Sequence, residues 1–206
     1  MIVLGIVYFA VNGPAFYQRL KYKVKKDSFR QEENTISLEQ STLKENRLII
    51  PKIKTNVPII FLESDENKEI KKGLENGVIH WPDTAMPGEE GNCVITGHSS
   101  SPVWEKGRFK TVFALLDKLD KNDLIIVYFN QNKFTYKVTN KAIISSKNRE
   151  ILSQKTKKPT LTLYTCWPLG TDLKRLVVTT ELFNGDQSVF EHSKRQSFYS
   201  FSKPIP

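Results

Sequence analysis

Cysteine is nearly absent from this 206-residue chain, which has two, Cys93 and Cys166. That excludes a disulfide-dense scaffold and a Cys₄ zinc site. Histidine is almost as sparse, with His80, His98 and His192. Few Cys/His combinations can therefore carry chemistry, and no His/Cys/carboxylate spacing suggests zinc. Glycine and proline number ten each, which removes collagen-like and low-complexity classes. No internal repeat is visible. What remains is a chain 39% hydrophobic and 11% aromatic. That is enough for one domain with its own core, or one domain with appendages.

The net charge of +9 invites a nucleic-acid reading, and its distribution argues against one. Residues 1–18 carry no charged side chain. Arg19, Lys21, Lys23, Lys25 and Lys26 then follow within eight residues that contain no acid. Removing those five leaves +4 for residues 27–206. A nucleic-acid domain spreads its bases over a folded face, so no nucleic-acid partner is expected. The apolar run Ile2–Val11, extended by Ala15, Phe16 and Tyr17, spans roughly 26 Å as a helix, slightly under a bilayer core. Residues 1–18 are expected to be an N-terminal membrane anchor, truncated or short on its cytoplasmic side. A cleaved signal peptide lacks its basic leading region here, and a buried helix or strand is the bland alternative. The positive-inside rule, applied to this chain alone, puts Lys21–Lys26 in the cytoplasm. The site described next expects the opposite side.

Residues 19–46 are expected to be a basic juxtamembrane segment and linker. From Arg47 the pattern changes to short β-type runs: Leu48–Ile53, Val57–Phe61, Asn92–Thr96, Thr160–Thr165 and Lys174–Leu182. A hairpin is expected from Asp123–Phe129 and Lys133–Ser145 across Asn130–Asn132. Short helices are expected at Glu66–Leu74 and through Phe109, Val112, Phe113, Leu115, Leu116 and Leu119. The sum is mainly β, a barrel or sandwich with short helices, over residues 47–183. Residues 184–206 are a polar tail with isolated aromatics.

His98 ends one strand and Cys166 another. Arg175 begins the next strand, nine residues later, which can pair with the Cys166 strand. A cysteine nucleophile needs its thiolate, which a neighbouring cation favours, and an arginine can hold an oxyanion. From residue types alone these three remain as compatible with a core cysteine, a structural histidine and an exposed arginine. Cys93 looks like a core residue, His80 a structural one, and His192 a solvent-exposed one.

Five segments, in order, resemble the sortases, which are cysteine transpeptidases. They are Leu48-Ile49-Ile50-Pro51-Lys52-Ile53; Gly73–Pro82 with Pro87–Asn92; Val94-Ile95-Thr96-Gly97-His98; the TLxTC-like Thr160-Leu161-Thr162-Leu163-Tyr164-Thr165-Cys166; and Lys174-Arg175-Leu176-Val177-Val178. The resemblance implies an eight-stranded β-barrel. It implies Cys166 as nucleophile, His98 as general acid/base and Arg175 as stabiliser of substrate and oxyanion. It implies cleavage of a C-terminal LPxTG-like sorting signal through a thioester, then transfer to an amine such as a cell-wall precursor or a pilin lysine. Its substrates are surface or pilin proteins, and its place is the cell membrane, single-pass, with the catalytic domain outside. Thr165, Trp167, Ile143 and Ile144 are the candidate substrate-binding residues. Some relatives hold calcium through loop carboxylates; no metal and no cofactor is expected here. Ser99-Ser100-Ser101 stands where many relatives have a basic or aromatic residue, which leaves the subclass open. Two other readings are a transpeptidase of peptidoglycan cross-links, whose Ser-x-Gly-Cys signature is absent around Cys166, and a catalytically silent membrane-tethered β-barrel binding module.

Overall fold

A computed structural model describes residues 2–24, 46–102 and 104–185. Lys25 and Lys26, most of the expected linker, His192 and the tail beyond Gly185 lie outside the described residues. Among the described residues the architecture is a closed eight-stranded barrel with two α-helices. The strands are β1 (Arg47–Ile50), β2 (Thr55–Phe61), β3 (Val78–His80), β4 (Gly91–Thr96), β5 (Leu124–Phe129), β6 (Asn132–Ser145), β7 (Pro159–Trp167) and β8 (Lys174–Gly185). Their order around the barrel is β1-β2-β3-β4-β7-β8-β6-β5. Two neighbouring pairs, β2–β3 and β4–β7, are parallel, and the others are antiparallel.

Alternation along the strands divides interior from exterior. On β7, Leu161 and Leu163 enter the main core, as do Cys93 and Ile95 on β4 and Leu176 and Val178 on β8. The residues between them, Thr162, Tyr164 and Cys166 with Asn92 and Val94, therefore share the opposite face. Tyr136 and Phe134 of β6 are fully buried in the barrel. They also close the Pro87–Gly88 turn, because the Gly88 N–H donates to Tyr136 Oη at 2.7 Å. Gly88 has φ +92°, and a Cβ there would come within 2.3 Å of the Phe134 ring.

The expected hairpin forms around a tighter turn than the sequence suggested. Phe129 already pairs with Asn132, leaving Asn130 and Gln131, both at positive φ (48° and 66°). That is the geometry of a two-residue hairpin loop. The helix α2 (Asn67–Asn76) covers the expected Glu66–Leu74 helix. The helical spacing of Phe109–Leu119 does not yield a regular helix. Its backbone bonds run to the third residue back, as in Ala114 N–H to the Thr111 carbonyl and Leu116 N–H to the Phe113 carbonyl, and the Phe113 N–H is taken by the His98 carbonyl at 2.9 Å. A long-range acceptor has replaced the local one, and a 3₁₀ turn at Leu116–Lys118 is what remains. Strand β8 extends two residues into the expected tail.

The helix α1 (Ile2–Val24) runs through the expected anchor and across its boundary at residue 18. Among the described residues, no helix is long and apolar enough to cross a membrane. Asn12, Ala15, Arg19 and Tyr22 lie on one stripe of α1 and are buried or half-buried. The Ser100 hydroxyl donates to Asn12 Oδ1 at 2.6 Å, and Tyr8 Oη donates to the Leu169 carbonyl at 2.6 Å. Ala15 packs on Ala114 and Leu169. The Arg19 guanidinium makes a two-pronged contact with the Asp117 carboxylate at 2.7 and 3.1 Å and lies 5.8 Å from the centre of the Trp167 ring. Gly170, at φ +78°, leaves room for Asn12, whose Oδ1 would be 2.5 Å from an added Cβ.

Substituting Gly88→Ala combines backbone strain with a collision against a buried ring. It is expected to cost about 3 kcal/mol, visible as a fall in Tm of roughly 6–12 °C.

Candidate functional site

The three candidates meet because of two strand pairings. Strand β4 runs parallel to β7, with Thr96 opposite Tyr164. The chain leaving β4 therefore carries Gly97 and His98 alongside Thr165 and Cys166. Two threonines lock this end of the ladder. Thr96 Oγ1 donates to the Tyr164 carbonyl at 3.0 Å, and Thr165 Oγ1 donates to the Gly97 carbonyl at 2.7 Å. On the other side, Cys166 is the direct antiparallel partner of Arg175. The Arg175 guanidinium is steadied by donating to the carbonyls of Asp172 and Lys174 at 2.9 and 3.0 Å. All three side chains are half-buried, at the rim where the exterior face meets the loops.

Electrostatics at this rim favour neutral forms of the two titrating groups. Burial pushes the Cys166 thiol above its ordinary value, while the Arg175 charge pulls it back and Asp172 adds to the rise. Burial also lowers the His98 imidazole, opposed by Glu105. The Ser99 hydroxyl beside it is buried and has no hydrogen-bond partner among the described residues. Cys93 is buried inside the barrel, and its thiol is raised far beyond the ordinary range by desolvation. His80 is 2% exposed and folded into its own turn, against the Ala85 carbonyl and the Thr84 hydroxyl. Among the described residues, no group of three or more His, Cys, Asp or Glu side chains is placed to hold a metal ion.

A cavity of about 400 Å³ opens on the same exterior face, further along β7 and β8 from this rim. Its floor includes Asn92, Thr162, Val177 and Thr179, and Ile144 and Ile151 line it. Val177 stands two residues from Arg175, and Thr162 four from Cys166. Of the sequence-named binding residues, Ile144 lines this cavity, and Ile143, on the other face of β6, is 50% exposed. Thr165 is 1% exposed and committed to the Gly97 carbonyl. Trp167 packs against the main core and under Arg19. Sequence reading did not find Asn92, Thr162 or Val177. The signal was present in the alternation Thr160, Thr162, Tyr164, Cys166, which places every second residue of β7 on the face of Cys166.

The arrangement brings a thiol, an imidazole and a fixed cation to one rim, on the face that also carries the cavity. That is the equipment of acyl transfer. The family model for the sortase domain matches residues 48–183. The chain is 29% identical to Sortase D of Bacillus subtilis (strain 168) over 157 residues, covering 74% of this chain and 71% of that protein. Among solved structures, a Clostridium perfringens Sortase D5 transpeptidase matches at TM-score 0.56 and 26% identity, over 79% of this chain and 98% of that one. Sortase A from Corynebacterium diphtheriae matches at TM-score 0.58 and 25% identity, over 69% of this chain and 61% of that one. With the domain match spanning well over half its length, on a barrel of the same architecture, the chain belongs to the sortase family of cysteine transpeptidases.

Proposed function

We propose that this sortase cleaves an LPxTG-like C-terminal sorting signal with Cys166, His98 and Arg175 and passes the acyl group to an amine. The observation that carries the reading is the pairing of Cys166 with Arg175 on strands that also bring the His98 loop to the same rim. The Cys166 thiolate attacks the carbonyl carbon of a Thr–Gly-type bond, forming the C–S bond. Arg175 steadies the oxyanion that develops. The C–N bond then breaks, and the His98 imidazolium gives its proton to the departing amine. In the second half, an incoming amine loses a proton to His98 and attacks the thioester, and the thiolate leaves. The signal's apolar side chains would lie in the cavity walled by Ile144 and Ile151. Surface proteins and pilins that carry such a signal are the substrates, and a cell-wall precursor or a pilin lysine is the acceptor.

The reading includes a place. A charge-free stretch followed by Arg19–Lys26 supports a tether at the membrane, with the catalytic domain on the outer side. External protease on intact cells should then remove residues 27–206. Protection until lysis would overturn this placement.

The electrostatics set a pH profile. The reactive pair is Cys166 thiolate with His98 imidazolium, a form carrying one proton. Because the thiol is raised and the imidazole lowered, the one-proton form holds its proton mainly on sulfur, and the ion pair is the minor form. Adding a proton as pH falls through the depressed His98 value, or removing one as pH rises through the raised Cys166 value, depletes the reactive form. The profile of kcat/KM is therefore expected to be a broad bell, its acid limb below pH 6.5 and its alkaline limb above pH 9.0. Arg175→Ala removes the charge that lowers the thiol. It should move the alkaline limb upward and cut kcat/KM by about 10²–10³-fold.

Incubating the protein with an LPxTG-type peptide library tests the chemistry directly. Mass spectrometry should find an acyl adduct on Cys166, and Cys166→Ala should form none. Cleavage by Cys166→Ala at the wild-type rate would sink the proposal, and a folded wild type that cleaves nothing would favour a silent binding module.

A further inference from the structure

The apolar wall of the groove rests on a weak local element. Residues 146–158 join β6 to β7 and contain the 3₁₀ turn Glu150–Leu152, with no side-chain cap. Lys147, Arg149, Lys155, Lys157 and Lys158 face one acid, Glu150, within this stretch. Lys158 pairs with Glu181 of β8 at 3.3 Å, and the like charges of the other four give this stretch little electrostatic hold of its own. Against this, Ile151 and Leu152 pack on Val94, Tyr164 and Val177, which is modest burial for a segment of this length.

Two side-chain amides tie the segment to β4. Asn92, 7% exposed at the start of β4, donates from Nδ2 to the Ile151 carbonyl at 2.8 Å. Its Oδ1 accepts from the Thr162 hydroxyl at 2.7 Å, so the amide is oriented from the groove floor. Gln154 answers from the other side of the wall. Its Oε1 accepts the Asn92 backbone N–H at 2.9 Å, and its Nε2 donates to the Asn92 carbonyl at 2.9 Å and to the Leu152 carbonyl at 3.0 Å. One glutamine thus bonds both backbone groups of Asn92, as a neighbouring strand would. Gly91 makes room for it, since a Cβ there would lie 2.9 Å from Gln154 Oε1. Neither amide touches Cys166, His98 or Arg175 in any of these bonds.

We propose that Asn92 and Gln154 are positioning residues that staple the Ile151–Leu152 wall to β4, so that the groove is formed before a sorting signal enters it. The proposal rests on the transpeptidase reading for its kinetic consequence but not for its structural one. If the wall opened in most molecules, the apparent affinity for the signal would fall by the fraction still closed, with the chemistry untouched.

The test uses the full chain, with hydroxylamine as the amine and the library peptide that the wild type cleaves fastest. Gln154→Ala is expected to raise KM about tenfold while kcat stays within about twofold. Asn92→Asp keeps the acceptor for Thr162 and loses the donor to Ile151, and should raise KM in the same direction. Hydrogen exchange supplies the independent reading: the Asn92, Leu152 and Ser153 amides should exchange faster in both variants, with the remaining barrel amides unchanged. Unchanged KM and unchanged exchange in those amides would overturn the staple, as would a loss confined to Tm or to kcat. If the wild type turns over no peptide, the transpeptidase reading has failed, and exchange alone then decides the staple.

Discussion

Everything at the candidate site depends on the parallel ladder between β4 and β7. Parallel neighbours present the same ends together, so the residues that leave β4 and those that finish β7 arrive at one rim. His98 and Cys166 are 68 positions apart in sequence and are brought alongside by six consecutive residue pairs. Thr96 and Thr165 then bond across the last of those pairs. An antiparallel arrangement would have sent the two ends to opposite rims of the barrel. The His98 carbonyl also captures the Phe113 N–H, so the segment after the proposed general acid/base is shaped by the same junction.

Burial and charge oppose each other at that rim, and burial dominates for both titrating groups. A half-buried pocket excludes enough water to weaken the charged forms, yet Arg175 sits opposite Cys166 as a fixed counter-charge. The same dehydration that makes the ion pair rare also strengthens the guanidinium's pull on negative charge developing at a bound carbonyl. A resting state that is mostly neutral and a site that is strongly polar toward its transition state are therefore one design. The helix α1 adds a mechanical element. It is tied to Ser100 after His98 and to Leu169 after Cys166, bridging the two loops that flank the chemistry.

The barrel was legible because its signals are local and periodic. Strand β7 announces itself by the alternation of Thr160 to Thr165 and β4 by a short apolar run, and the ordered motifs around His98, Cys166 and Arg175 identify the family. The Phe109–Leu119 segment misled because its apolar spacing is real, but the backbone N–H that would continue a helix is claimed by a carbonyl from another part of the chain. Parity explains the binding residues: Ile144 and Ile143 are adjacent in sequence and on opposite faces of β6, and only the register with β8 tells which one meets the groove. The amides of Asn92 and Gln154 carry no periodicity at all. Apart from the Thr162 hydroxyl, their partners are backbone atoms, so nothing in the sequence marks them. The docked stripe of α1 was hidden by the apolar residues around it, which drew attention to hydropathy and away from Asn12, Ala15 and Arg19.

The sealing of Cys93 inside the barrel has a consequence for redox chemistry. Cys93 pairs with Leu161, so Cys166 lies five residues further along β7, roughly 16 Å away, and on the other face of the strand. Disulfide geometry requires Cα atoms within about 7 Å. Cys166 accordingly has no resolving thiol in its own chain. Oxidants convert it to a sulfenic acid or to a mixed disulfide with an external thiol, both reversible by reductant, and further oxidation to the sulfinic acid is not. Return of an oxidised Cys166 to the thiol therefore depends on a thiol or reductant from outside the chain.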